Sequence, residues 1–274
     1  MPPPTHLVVV CCHGVWLGGP MRGFDESEWL IAGFQAGETP TFIEHIKAGL
    51  RVLREDPDSV LMFSGGPTRK ETRLSESQSY ADIAAYNAYF GIIDAGAASD
   101  RIVCEPRALD SYYNVLFSLL LFWQSTHDGK ATVSTTNTWP EKITIVSHAF
   151  KRERLVDCHC GALGYPLDRV DFVGIDPPGM VDGTNEAAMQ GVSQAIAEWK
   201  ENPHGIGGTL AEKRRKRNPW GVSQTLFESE QLRAQSGIKT IIVTGNDDGS
   251  GVKEEVLDPS ATQPWADQVF LQKN

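Results

Sequence analysis

Through the first two thirds of the chain, short apolar runs alternate with stretches whose apolar residues recur every three or four positions. Leu7 to Cys12 is a continuous apolar run ending at His13-Gly14, the pattern of a strand buried on both faces and its exit loop. Phe42, Ile46, Leu50 and Leu53 then share one side of a helix over 41–54, with Thr39 as its N-cap and Pro40 at its first position. Val60 to Phe63 predicts a second strand, closed by Ser64-Gly65-Gly66-Pro67, and Ser75 caps a helix reaching Phe90. Arg101 to Cys104 predicts a third strand and Ser111 to Gln124 a strongly apolar helix. Ile143 to Val146 predicts a fourth strand, ending in Ser147-His148. A helix over Lys151 to Leu163 and a fifth strand over Val170 to Ile175 follow. Strands and helices in this alternation make an α/β fold: a Rossmann-like, doubly wound, mainly parallel sheet with helices on both faces.

The remaining pattern is less regular. Ser125 to Pro140 is polar and reads as a surface insertion. Beyond Pro177-Pro178-Gly179 come a helix over Asn185 to Lys200, a glycine-rich stretch, the basic run Lys213 to Arg217, and a helix over Gln224 to Ala234. Ile238 to Thr244 reads as one more strand, and the tail after it is polar and loosely held. The organisation expected is a core domain over 1–180 with a helical and extended extension over 181–274 packed on it.

Composition narrows the function. At 274 residues with 41% hydrophobic content the chain can bury a full core, and its net charge of −10 argues against a general nucleic-acid binder. No apolar run approaches the ~20 residues of a membrane helix, and the run after Pro2-Pro3-Pro4 is too short for a signal-peptide core. Five cysteines without a CxxC pair read as reduced thiols, and the expected location is cytoplasmic. Cys158-His159-Cys160 looks like a metal cluster. On a helix, however, neighbouring residues point about 100° apart, and no second set stands at a ligand spacing, so no metal is expected. The run 213–217 lies between acidic helices and reads as solvated surface.

Ligands of open parallel sheets bind outside the carboxyl ends of the strands. Four such ends carry polar or glycine-rich loops: His13-Gly14, Ser64-Gly65-Gly66, Glu105 with Arg107, and Ser147-His148. The amides of Gly65 and Gly66 beside Ser64 suit a phosphate or carboxylate. Lys151, Arg152 and Arg154 open a helix whose macrodipole they oppose, so an anion is expected to offset them. Ser111 and Asn114 start another helix after a strand, Asn114 beside an otherwise apolar face. Glu76, Glu105 and His148 are the candidate acids and bases, and His13 can bind or exchange a proton.

Taken in order, Phe63-Ser64-Gly65-Gly66, Ser75-Glu76-Ser77, Glu105, Ser111-Tyr112-Tyr113-Asn114 and Val146-Ser147 through Arg154 resemble the YdcF/SanA/ElyC-like family, also called domain of unknown function 218. The likeness runs over about residues 7–175 and is closest to its soluble fungal or plant members. It implies a Rossmann-like fold and a pocket for a nucleotide-like or phosphorylated small molecule. Lys151 stands where the family has a histidine and Tyr113 where it has a glutamate, so the histidine's role carries over here only if His148 takes it.

Two functions stay open. One is an enzyme, hydrolase or transferase, acting on a phosphorylated or nucleotide-like metabolite. The other is a module that binds a nucleotide-like ligand such as S-adenosylmethionine without turnover. A third class fails on its essential residues: there is no G-x-S-x-G elbow for an α/β-hydrolase, and Cys12 stands where phosphoglycerate mutases have an arginine. The sequence names no cofactor and no oligomeric state.

Overall fold

A computed structural model of the chain describes residues 3–127, 138–181, 186–244 and 253–266. The chain enters through β1 (His6–Cys11) and forms a short antiparallel pair, β2 (Val15–Trp16) with β3 (Trp29–Leu30). It continues through α1 (Thr39–Glu55), β4 (Ser59–Ser64), α2 (Glu76–Tyr86), α3 (Ala95–Ser99), β5 (Ile102–Glu105) and α4 (Ser111–His127). After β6 (Lys142–Ser147) come a 3-10 turn at Ala149–Lys151 and a π-type helix at Glu153–Cys160, then β7 (Val170–Gly174). The C-terminal part holds α5 (Pro178–Val181), α6 (Glu186–Glu201), α7 (Gly208–Lys216), α8 (Glu230–Ser236), β8 (Thr240–Thr244) and β9 (Lys253–Leu257).

Five strands form one all-parallel sheet in the order β5-β4-β1-β6-β7. Every residue of β1 and β4 is buried, as continuous apolar runs covered on both faces require, whereas the edge strands β5 and β7 are only partly covered. Side chains of β1 alternate between two cores, as the two-residue period of a strand dictates. Val8 and Val10 pack with Phe42, Ile46 and Leu50 of α1 and Tyr80 of α2. Leu7, Val9 and Cys11 pack with Leu116 and Leu120 of α4 on the other face. This is a Rossmann-like, doubly wound α/β fold.

The second core also takes in Trp199, Leu210, Phe227, Leu257 and Trp265, so residues beyond 181 share the main core. Trp265 is fully buried, donates its indole N–H to the Leu163 carbonyl and packs edge-on against Trp139. Residues 253–266 are therefore tied down, where the polarity of this region had suggested a loose tail. Ile238 to Thr244 does yield a strand, but β8 pairs antiparallel with β9 outside the main sheet. Thr39 opens α1 instead of capping it, and Glu38 holds the cap position without a side-chain cap bond. Ser75 caps α2 by accepting from the Gln78 amide at 3.0 Å. The helix expected from Lys151 onward is wound as 3-10 and then π-type. Much of the polar segment 125–140 and Asn185 lie outside the described residues. Among the described residues, no helix is long and apolar enough to cross a membrane.

Candidate functional site

The strand order places the topological switch point between β1 and β6, because the chain leaves β1 toward β4 and β5 and returns on the other side to β6 and β7. The crevice at the carboxyl ends of those two strands is where doubly wound folds bind ligands. His13 arrives there two residues after β1, Ser147 closes β6, and His148 and Lys151 follow at once. The 3-10 turn carrying Lys151 lies flat on the end of β7. A Cβ on Gly174 would stand 2.6 Å from Ala149 Cα, so only glycine allows that approach.

His13 is clamped from both sides. Its amide donates to the Tyr80 hydroxyl at 3.2 Å, and its carbonyl accepts from Gln35 Nε2 at 2.9 Å. Its ring Nδ1 lies 3.3 Å from Lys151 Nζ and its Nε2 3.4 Å from Ser147 Oγ. An ammonium can only donate, so a charged Lys151 fixes the proton of His13 on Nε2, facing Ser147. His13 stacks on His148 at 4.5 Å, and His45 of α1 meets both rings edge-on at 5.5 and 4.9 Å. Burial lowers all three imidazoles, and Lys151 lowers them further, His45 to about 4. They are neutral at physiological pH.

Cations gather beside this stack. Lys151 and Arg154 are half-buried, and the exposed Arg217, just past the end of α7, donates to the Leu109 carbonyl at 3.4 Å and acts electrostatically on both. Burial and then Arg154 bring the Lys151 ammonium down to about 7, while burial and then Arg217 lower Arg154. Among the described residues, no carboxylate lies within ion-pair distance of Lys151, Arg154, Arg217 or Arg69. The buried Nε atoms of Arg154 and Arg69 have no hydrogen-bond partner. Glu76 lies near this group. Burial raises its carboxyl, while the Thr68 hydroxyl at 2.5 Å, Arg217, Arg69 and Lys151 pull it back.

The neighbouring β4 and β5 ends are built differently from the expectation. The Gly65 amide donates to the Glu105 carbonyl at 3.0 Å and the Gly66 amide to the Ala108 carbonyl at 2.7 Å, so neither is left for an anion. Their lack of a side chain serves packing. A Cβ on Gly65 would meet Glu76 Oε2 at 2.8 Å and one on Gly66 the Ala108 carbonyl at 3.0 Å. Ser64 Oγ donates to Glu105 Oε2 at 2.8 Å and accepts from Asn114 Nδ2 at 2.9 Å. Glu105 also accepts from the Arg107 and Ala108 amides at 2.7 and 3.1 Å, and Asn114 further donates to the Ser64 carbonyl. Ser64, Glu105 and Asn114 therefore form a closed, buried brace, and Glu105 has no free role as acid or base.

Two other expectations fall outside the crevice. Arg152 is exposed and reaches Asp157 at 3.4 Å. Ser111 bonds the buried His159 at 2.8 Å, and Asp110 caps α4 by accepting from the Tyr113 amide at 3.0 Å. The basic run 213–217 is only partly solvated. Arg214 is 6% exposed and joins Asp110 at 3.3 Å and Glu254 at 2.8 Å. Sequence reasoning missed Glu38, His45, Arg69 and Arg217. A histidine on the apolar stripe of α1 was the one available signal, since the other three are brought in by tertiary packing alone. Among the described residues, no three His, Cys, Asp or Glu side chains converge as metal ligands.

No family model and no solved structure matches this chain. The Saccharomyces cerevisiae protein described as uncharacterized protein YOR238W is 25% identical over 215 residues, covering 63% of this chain and 68% of its own.

Proposed function

We propose that this chain is an enzyme acting on a small phosphorylated metabolite, hydrolysing or transferring its phosphate-containing group at the β1/β6 crevice. The observation that carries this reading is the group of Lys151, Arg154 and Arg217, in which the two arginines depress the ionisation of Lys151 and Arg217 that of Arg154, with no carboxylate at ion-pair distance among the described residues. Like charges so placed destabilise the empty site, and a dianion entering it removes that cost. Lys151, Arg154 and Arg217 would hold the phosphate and the charge that grows on its oxygens in the transition state. Neutral His13 orients Lys151 from one side and Ser147 from the other. Glu76, near the cations, is one acid or base within the group. The likeness to the YdcF/SanA/ElyC-like loops points to the same ligand class.

The binding-module reading draws on the closed brace at Glu105, which removes one acid/base from the site. S-adenosylmethionine suits the crevice less well than a phosphate, because its sulfonium would face a cationic cluster. A thermal-shift series with inorganic phosphate, sugar phosphates, nucleotides and S-adenosylmethionine, followed by mass spectrometry of each mixture, separates the readings. Phosphate compounds are expected to raise Tm and at least one to be converted. Arg154→Ala is expected to weaken phosphate binding at least tenfold, roughly 1.4 kcal/mol. Stabilisation without conversion would leave the binding module, and no shift with any phosphate would sink the anion site.

A further inference from the structure

At the crevice one buried side chain is left with nothing to bond. His148 is 1% exposed, and neither ring nitrogen has a hydrogen-bond partner among the described residues. The ring is held rigidly, stacked between His13 at 4.5 Å and Phe150 at 4.9 Å, with Phe42 edge-on at 6.0 Å. Its Nε2 stands 3.7 Å from Glu38 Oε2, beyond hydrogen-bond reach. An oxygen atom about 2.8 Å from each would partner both Glu38 and the Nε2 of His148, and buried polar atoms left this way are completed by water or by ligand. The Glu38 side chain is 17% exposed, and Lys151 acts on it electrostatically. Burial raises the Glu38 carboxyl, which strengthens it as a base.

We propose that Glu38 and His148 seat the attacking water of a phosphate-monoester hydrolysis, Glu38 as the catalytic base and His148 as its positioning partner. This rests on the phosphate reading of the crevice and narrows it from hydrolase or transferase to hydrolase. Glu38 and His148 Nε2 each accept one hydrogen of the water, which leaves its lone pairs to face the phosphorus. The water oxygen forms the new P–O bond as its proton passes to the Glu38 carboxylate. The ester P–O bond breaks, and the departing alkoxide takes a proton from the Lys151 ammonium, giving the alcohol. Glu38 then returns its proton through solvent to Lys151, so the enzyme is unchanged. The rings of His13, Phe42 and Phe150 around His148 suit a single water better than a larger acceptor alcohol.

The same step run on inorganic phosphate replaces one of its oxygens with one from solvent, so no knowledge of the natural ester is needed. The full chain would be incubated with inorganic phosphate in oxygen-18 water, with incorporation followed by mass spectrometry and phosphate binding by the rise in Tm. The wild type is expected to incorporate the label. Glu38→Gln, nearly isosteric and therefore expected to fold, should lose at least tenfold of that rate while phosphate still raises its Tm as in the wild type. Wild-type protein that binds phosphate without exchange, or Glu38→Gln exchanging at the wild-type rate, would overturn the water seat and leave the anion site standing. Absence of any phosphate-induced shift in the wild type would overturn both together.

Discussion

Two neighbouring ends of one sheet look alike along the chain and differ in what they leave unsatisfied. At β4 and β5, the Ser64 hydroxyl, the Glu105 carboxylate and the Asn114 amide nitrogen are taken up by one another and by the nearby backbone. At β1 and β6, His148 has two unpartnered nitrogens, Arg154 an unpartnered Nε, and Lys151 no carboxylate at ion-pair distance among the described residues. Both ends follow buried strands and carry polar residues, so position after a strand does not separate them. Satisfaction does. A closed network stabilises the fold, and an open one of like charge is stable only with something bound.

The largest effect is expected where the network is closed. Glu105→Ala removes the acceptor of the Ser64 hydroxyl and of the Arg107 and Ala108 amides, all within the brace. Leaving buried donors unpaired costs about 1–3 kcal/mol each, partly relieved by water entering the space. Urea unfolding should therefore show a loss of roughly 3 kcal/mol, with the phosphate-induced rise in Tm kept in the protein that remains folded. Unchanged stability with a lost phosphate response would reverse the roles assigned to the two ends.

An effect of opposite sign is expected at Lys151. Its native pKa of about 7 lies below the ordinary lysine value of 10.5 in the unfolded chain. Below pH 7 both states carry the proton, and the native state bears the full cost of burying that charge and of holding it beside Arg154. Between pH 7 and about 10 the unfolded chain binds a proton that the native one has lost, so this group makes stability rise with pH. Lys151→Met should thus be more stable than the wild type at pH 6, by a margin that shrinks toward pH 10. Urea unfolding of both proteins at several pH values checks this, and a margin independent of pH would mean that Lys151 is not strained by its neighbours. Phosphate should restore the higher pKa, so its binding above pH 7 takes up protons, measurable by calorimetry in buffers of different ionisation enthalpy.

The fold was legible because continuous apolar runs such as 7–12 and 143–146 can only be strands covered on both faces, and helical spacing between them fixes the alternation. The site was legible only as a set of strand ends. His13, Ser147, Lys151 and Arg154 do meet at one crevice, while Gly65 and Gly66 give their amides to backbone carbonyls. Whether an amide is free depends on which loop packs against it, and no local pattern encodes that. Arg217 was invisible for a related reason. It sits in a run of five basic residues, and the difference between solvated Lys216, paired with Glu212, and crevice-facing Arg217 is set by where α7 ends.

The sharpest form of the comparison involves two arginines only two positions apart. Arg152 and Arg154 both open the helical segment after β6, and sequence gives them the same reason to bind an anion. The turn changes there from 3-10 to π-type winding and sends them in different directions. Arg152 is exposed and within 3.4 Å of Asp157, an arrangement that contributes little in water. Arg154 has its Nε buried and unpartnered and acts electrostatically on Lys151, His13 and His148. Arg152→Ala should therefore change unfolding free energy by less than about 0.5 kcal/mol and leave the phosphate-induced Tm shift at its wild-type size. A reduced shift in Arg152→Ala would mean that the anion is read by the whole basic turn and its diffuse field. An unchanged one, beside a lost shift in Arg154→Ala, places recognition in Arg154 and not in the exposed start of the turn.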